Sequence, residues 1–175
     1  METAFLRIFQ REVERQCKFG LIATNDLVKA LQAPDIDRIW YSVQALLSAA
    51  GNVSKLLWPF KPLLSERGFE LRASLSVGEH SLLRPRTFRN HFEHFDERLE
   101  KWIISSERHN FAGSNVGPPN MITGFESGDH LRNFDTTNFA VTYRGDAYFL
   151  RPIIDAIRNL WQKAMTEAQK PHWQQ

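Results

Sequence analysis

Cysteine is almost missing from this chain. Cys17 is the only one in 175 residues, so no intramolecular disulfide can form and no zinc site can use two thiolates. Metal-binding histidine spacing is missing too. His80, His109, His130 and His172 are dispersed, with no H-E-x-x-H or similar pattern. The stretch "GSNVGPPNMITG" lacks the Lys-Ser/Thr ending of a phosphate loop. No run approaches the roughly 18 to 20 apolar residues of a membrane-spanning helix. The opening "METAFLRIFQREVERQ" holds no continuous apolar core, so no secretory signal and a cytoplasmic location are expected. Charge of one sign is scarce: the net value is +2 and the pI about 8.8. That mild basic bias is compatible with a nucleic-acid partner without identifying one. Neither a metal, a cofactor nor a membrane enters the expected picture.

Aromatic and aliphatic residues are plentiful. Apolar types make up 42%, with 13 Phe and 5 Trp, enough for an aromatic-rich core in one domain spanning 1–175. The periodicity predicts a helix from 2 to about 32, with Phe5, Ile8/Phe9, Val13 and Cys17 on its apolar face. Arg7 and the other charged residues fall on the opposite face. Gly20 and Thr24-Asn25-Asp26 are expected to bend or interrupt it. Pro34 separates it from a second helix at about 35–57, whose apolar stripe is the clearest in the chain. "WPFKP" ends that helix. A shorter helix is expected at 65–76, another at about 84–106 with Pro85 in its first turn, and a last one from near Pro152.

The segment at about 110–149 reads differently. Residues 110–130 are glycine- and proline-rich and form a loop, either a lid or an extended piece packed on the helices. After it, Phe139, Val141 and Tyr143 alternate with Ala140 and Thr142, between turns at Asp135–Asn138 and Arg144–Asp146. A hairpin or three-stranded meander is expected there. The fold class is therefore mainly α: a four- to five-helix bundle with a small β insertion before the last helix. Trp40 and Trp102 are expected in the core.

One stretch carries candidate chemistry: "FRNHFEHFDERLEKW", residues 88–102. On a helix, Phe88, Phe92, Phe95, Leu99 and Trp102 step by four, three, four and three, forming one packed stripe. The neighbouring face holds Arg89, Asn90, Glu93, His94 and Glu97. It is either a solvated face of ion pairs, each contributing a few tenths of a kcal/mol, or a site for phosphodiester chemistry. Histidine moves protons near neutral pH. Arginine stabilises extra negative charge on a phosphate. Asparagine can orient the histidine or a ribose hydroxyl.

Arg89-Asn90-x-x-x-His94 resembles the R-x4–6-H signature of the HEPN superfamily, in which a polar residue, often Asn, follows the Arg. Arg86 to His91 gives a second spacing match, but only Arg89 is followed by Asn. The resemblance covers the helical parts, roughly 1–106 and 150–168, and leaves 110–149 as an insertion. It implies a helical bundle and a metal-independent endoribonuclease or RNA-binding component of a prokaryotic toxin or defence system. His94 would then serve as general base or acid, Arg89 would hold the phosphate, and Asn90 would position the reacting groups. It also implies a homodimer whose two motif helices face each other across a cleft, and an antitoxin or other regulatory protein as a further partner. Arg84 and Arg86 would help bind the RNA backbone, or they are an ordinary solvated helix start. Acidic Glu93, Asp96 and Glu97 beside the site would orient His94 and also repel phosphates. The alternative is a non-catalytic helical dimerisation or interaction module. A nucleotide-binding bundle with the glycine-rich loop as its lid is a third.

Overall fold

The structure, a computed structural model, describes residues 2–33, 35–85, 94–106, 109–118, 120–144 and 146–171. Among them are five α-helices and a four-stranded sheet. The long helices are α1 (Thr3–Gln32), α2 (Ile36–Leu57) and α5 (Leu150–Gln169). The short ones are α3 (Ser65–Ser74) and α4 (Phe95–Ser105).

Helix α1 is the central element. Its residues Val13, Cys17 and Leu27 are fully buried. Gln16 accepts a hydrogen bond from Asn52 of α2 at 3.1 Å, and Gly20 lies against Leu46. Rising numbers in α1 thus meet falling numbers in α2, so the pair is antiparallel. The same holds for α5, where Arg7 meets Glu167 and Gly20 meets Ile157.

The expected interruption of α1 does not occur: the helix runs unbroken from Thr3 to Gln32, and Gly20 faces α5. A Cβ on Gly20 would lie 3.2 Å from Ile157 Cδ1, so the glycine permits close helix approach rather than ending the helix. The Thr24 hydroxyl donates to the Gly20 carbonyl at 2.8 Å and is satisfied within the helix. The expected face is also mis-phased in the first two turns. Phe5 and Ile8 are 53% and 61% exposed, whereas Arg7 is only 5% exposed. Arg7 Nη1 donates to Gln10 Oε1 at 2.7 Å, and Gln10 Nε2 donates to Ser74 Oγ at 2.9 Å. Polar partners on α3 and α5 let an arginine occupy a core position.

Asp35 caps α2, accepting from the Arg38 backbone N–H at 3.0 Å. Ile39, Val43, Leu46, Val53 and Leu57 then bury its apolar stripe. After Trp58-Pro59, a 3-10 turn at Pro62–Leu64 leads into α3, which ends two residues earlier than expected. A Cβ on Gly68 would sit 2.5 Å from Pro59 Cδ and 2.8 Å from the Leu57 carbonyl. Only glycine lets α3 turn back this closely on the end of α2.

The sheet order is β1 (Asn115–Val116), β2 (Arg132–Asp135), β3 (Ala140–Tyr143), β4 (Asp146–Phe149). β1 is parallel to β2, and the other pairs are antiparallel. The expected meander is present, with one more strand contributed by the loop. Ala112 also bridges to His130, while the Trp102 ring of α4 meets Phe111 edge-on at 5.0 Å and its indole N–H donates to the Gly128 carbonyl at 3.1 Å, so the loop packs on the sheet and, as expected, against a helix. The Asp135 carboxylate shapes the β2–β3 turn, accepting from Thr137 N at 2.9 Å and Asn138 Nδ2 at 2.7 Å. At the second turn, Tyr143 pairs with Asp146 and Arg144 takes a φ of 46°. Phe134 and Val141 join the core of the long helices. Trp102, Leu131 and Tyr143 form a separate small cluster. Trp40 and Trp102 are both buried, as expected.

The expected helix at 84–106 is described only as α4. Arg84 and Pro85 are not helical, and the helix starts at Phe95 with His94 at its N-cap position. The stripe is only partly packed: Trp102 is buried, but Phe95 is 42% exposed. Phe88 and Phe92 lie outside the described residues.

Candidate functional site at the start of helix α4

His94 is the motif residue the structure describes. Arg89 and Asn90, and with them Arg86 and His91, fall outside the described residues. The His94 backbone has φ −108° and ψ 42°, and its carbonyl accepts from Arg98 N at 3.1 Å. Its side chain is 57% exposed, with Nδ1 3.6 Å from Glu97 Oε1. Lys101 Nζ lies 3.8 Å from the other Glu97 oxygen. The carboxylate therefore sits between an imidazole and an ammonium group, and the nearby ammonium tempers its repulsion of an anion. Asp96 and Glu97 occupy the first turn of α4, where negative charge complements the helix dipole. Sequence spacing alone leaves that second role unseen.

Arg84 is committed elsewhere. Its Nη1 is 3.1 Å from Glu79 Oε2 and donates to the Glu79 carbonyl at 3.1 Å. Glu79 also takes Arg72 Nη2 at 2.7 Å and the Trp58 indole N–H at 3.2 Å. Partial desolvation pushes the Glu79 carboxyl up, but the Trp58 indole, Arg72 and Arg84 together outweigh it and hold it below the usual range. The cluster closes the end of α2 over α3, beside a hollow of about 500 Å³. No hydrogen bond or ion pair joins His94 to Arg84 among the described residues.

Tertiary structure brings together cations that the sequence keeps apart. Tyr143 is buried, and burial pushes its phenol up. Arg132, Arg98 and Arg144 act against that shift, so all three lie within electrostatic reach of one hydroxyl. Arg98 follows His94 by four residues, one helical turn. Arg144 Nη2 donates to Ser105 Oγ at 3.3 Å, linking the β3–β4 turn to the end of α4. Arg132 stacks over the Trp40 ring at 4.9 Å, and Nε donates to Ser114 Oγ at 3.0 Å. Burial lowers its pKa. No local sequence signal marks this convergence, because the residues come from α4, β2 and a turn.

Other reactive groups are poorly placed for solution chemistry. Cys17 is fully buried, and burial pushes its thiol up to about 12, so it stays protonated. His130 is 6% exposed and packs on Phe125 with ring centroids 5.8 Å apart. Among the described residues, no group of His, Cys, Asp and Glu is arranged to hold a metal ion, and no helix is long and apolar enough to cross a membrane. Compared with known proteins, the chain matches no family model, no curated protein and no solved structure.

Proposed function

We propose that this chain is a HEPN-like, metal-independent endoribonuclease or RNA-binding protein of a prokaryotic toxin or defence system, with His94 at its site. The observation that carries the reading is the exposed His94 imidazole at the head of α4, with the Glu97 carboxylate 3.6 Å from Nδ1. A carboxylate on that side favours a proton on Nδ1 and leaves Nε2 to exchange protons with a substrate. Arg98, one helical turn on along α4, supplies positive charge.

In this reading the RNA 2′-hydroxyl attacks the adjacent phosphorus. His94 Nε2 takes the hydroxyl proton, and Arg89 stabilises the charge that develops on the phosphoryl oxygens. The 5′-oxygen leaves with a proton, producing a 2′,3′-cyclic phosphate and a 5′-hydroxyl. Asn90 positions the ribose. A second His94, from a two-fold partner, donates the leaving-group proton. An antitoxin or similar regulator would be a further partner.

The test is incubation of pure protein with single-stranded and structured RNA in EDTA. Cleavage that persists there, and is lost in His94→Ala and in Arg89→Ala with folding intact, is the expected result. Intact RNA with the wild-type protein would end the nuclease reading.

A second reading is a non-catalytic dimerisation or interaction module. The Arg84–Glu79 pair favours it, since a guanidinium tied to a carboxylate is a poor phosphate ligand.

A further inference from the structure

Helix α1 carries a second pattern, on the side turned away from its core. Glu12, Arg15, Phe19, Ile22, Asp26 and Lys29 step by three, four, three, four and three. A strict alternation of three and four is the 3.5-residue repeat of a helix–helix seam, not the wider stripe of a globular core. Phe19 and Ile22 are 50% and 51% exposed. Asp26 and Lys29 are exposed as well and form no salt bridge among the described residues.

The order of these residues is self-complementary. Laid antiparallel against its own copy, with the midpoint between Phe19 and Ile22, the stripe sets Phe19 opposite Ile22. Arg15 then faces Asp26, and Glu12 faces Lys29. Two apolar layers occupy the centre, and each flanking layer pairs opposite charges. A two-fold axis creates every such pair twice. The ridge is also bordered by grooves. One, of about 330 Å³, lies toward α2, where Ala45 and Ala49 line it beside the exposed ring of Tyr41. The other, of about 520 Å³, runs toward the end of α5. Small residues on α2 leave room for a partner's Phe19 ring beside the ridge.

We infer that α1 is a homodimerisation surface: two copies of the chain associate through antiparallel α1–α1 contact centred between Phe19 and Ile22. Charge complementarity selects a second copy as the occupant, because an unrelated helix would match the Glu-Arg-apolar-apolar-Asp-Lys order only by coincidence. Within one chain, Arg15 Nη1 lies 3.2 Å from Glu12. That exposed i,i+3 pair contributes little, so association can exchange it for the two intermolecular pairs. None of these residues belongs to α4 or the sheet. A dimer that cleaves RNA yet is indifferent to Phe19→Asp sinks this contact alone, and a Phe19-dependent dimer that does not cleave leaves it standing.

Sedimentation equilibrium of the full chain tests the inference, with circular dichroism checking that each variant keeps its helix content. The wild type is expected to dimerise, and Phe19→Asp to weaken dimerisation by about tenfold or more. Arg15→Asp and Asp26→Arg each set like charges opposite one another and weaken it, while the double variant restores opposite charges and recovers it. Raising the salt concentration weakens the wild-type dimer, an arm that needs no variant. A wild type that stays monomeric overturns the proposal. So does a dimer indifferent to Phe19→Asp, or a double variant no better than either single one.

Discussion

The helical body and the α4–sheet region are held together by different chemistry. In α1, α2 and α5 the buried set is mostly Leu, Ile, Val and Ala, brought close at Gly20. Its buried polar members are few: Ser42 and Ser54 on α2, and at one end of α1 Arg7 and Gln10, which bond to Glu167 and Ser74. Between Ser106 and Asp135, by contrast, Ser106, Asp129, His130, Asn133 and Asp135 are all buried. Apolar packing tolerates volume-conserving exchange, whereas a buried polar group depends on each of its own partners. The body is therefore the robust part of the fold and the α4–sheet region the specific one. The candidate site stands on the second.

Several substitutions would sharpen or break that contrast. The largest loss is expected in the body. Leu46 is fully buried between α1 and α2, so Leu46→Ala should cost about 3 kcal/mol in urea denaturation. In the sheet region, Asp135→Ala removes the acceptor for Thr137 and Asn138. About 2 kcal/mol is expected, with hydrogen exchange rising in β2 and β3 while α1 stays protected. Equal exchange increases in both regions would erase the distinction.

A smaller effect is expected at Glu79, and its sign follows from the direction of its shift. The folded carboxyl lies below its ordinary 4.5, so its contribution is complete above that value and is lost as pH falls through the folded one. Glu79→Gln should lower the melting temperature at pH 7, and the gap should close under acid. A gap that widens on acidification would reverse the assignment. The smallest stability effect belongs to His94. Its side chain is more than half exposed, so His94→Ala should change stability by no more than about 0.5 kcal/mol.

Legibility in the sequence follows the same division. The bounds of α1, α2 and α5 could be read from periodicity, from Asp35 and from the prolines, because apolar packing writes itself as spacing. Gly20 misled, since no local signal says that Ile157 passes there. Arg7 misled because it is held through Glu167 of α5 and through Gln10, which itself bonds to Ser74 of α3. The meander was readable from alternation and turn residues, but β1 was not: two residues paired in parallel leave no periodic trace. At the site, the sequence located His94 and its acidic neighbours. It could not show that Arg84 is taken by Glu79, or that Arg98, Arg132 and Arg144 converge on Tyr143. Those are tertiary facts written by the polar region, where spacing carries little information.

The central claim is that His94 moves protons in RNA cleavage instead of supporting the fold. The most direct measurement is the chemistry of RNA ends after incubation with wild-type protein and with folded His94→Ala, both in EDTA. The account predicts 2′,3′-cyclic phosphate and 5′-hydroxyl ends from the wild type and none from the variant. Uncut RNA, 3′-hydroxyl ends, or identical products from both proteins would contradict it.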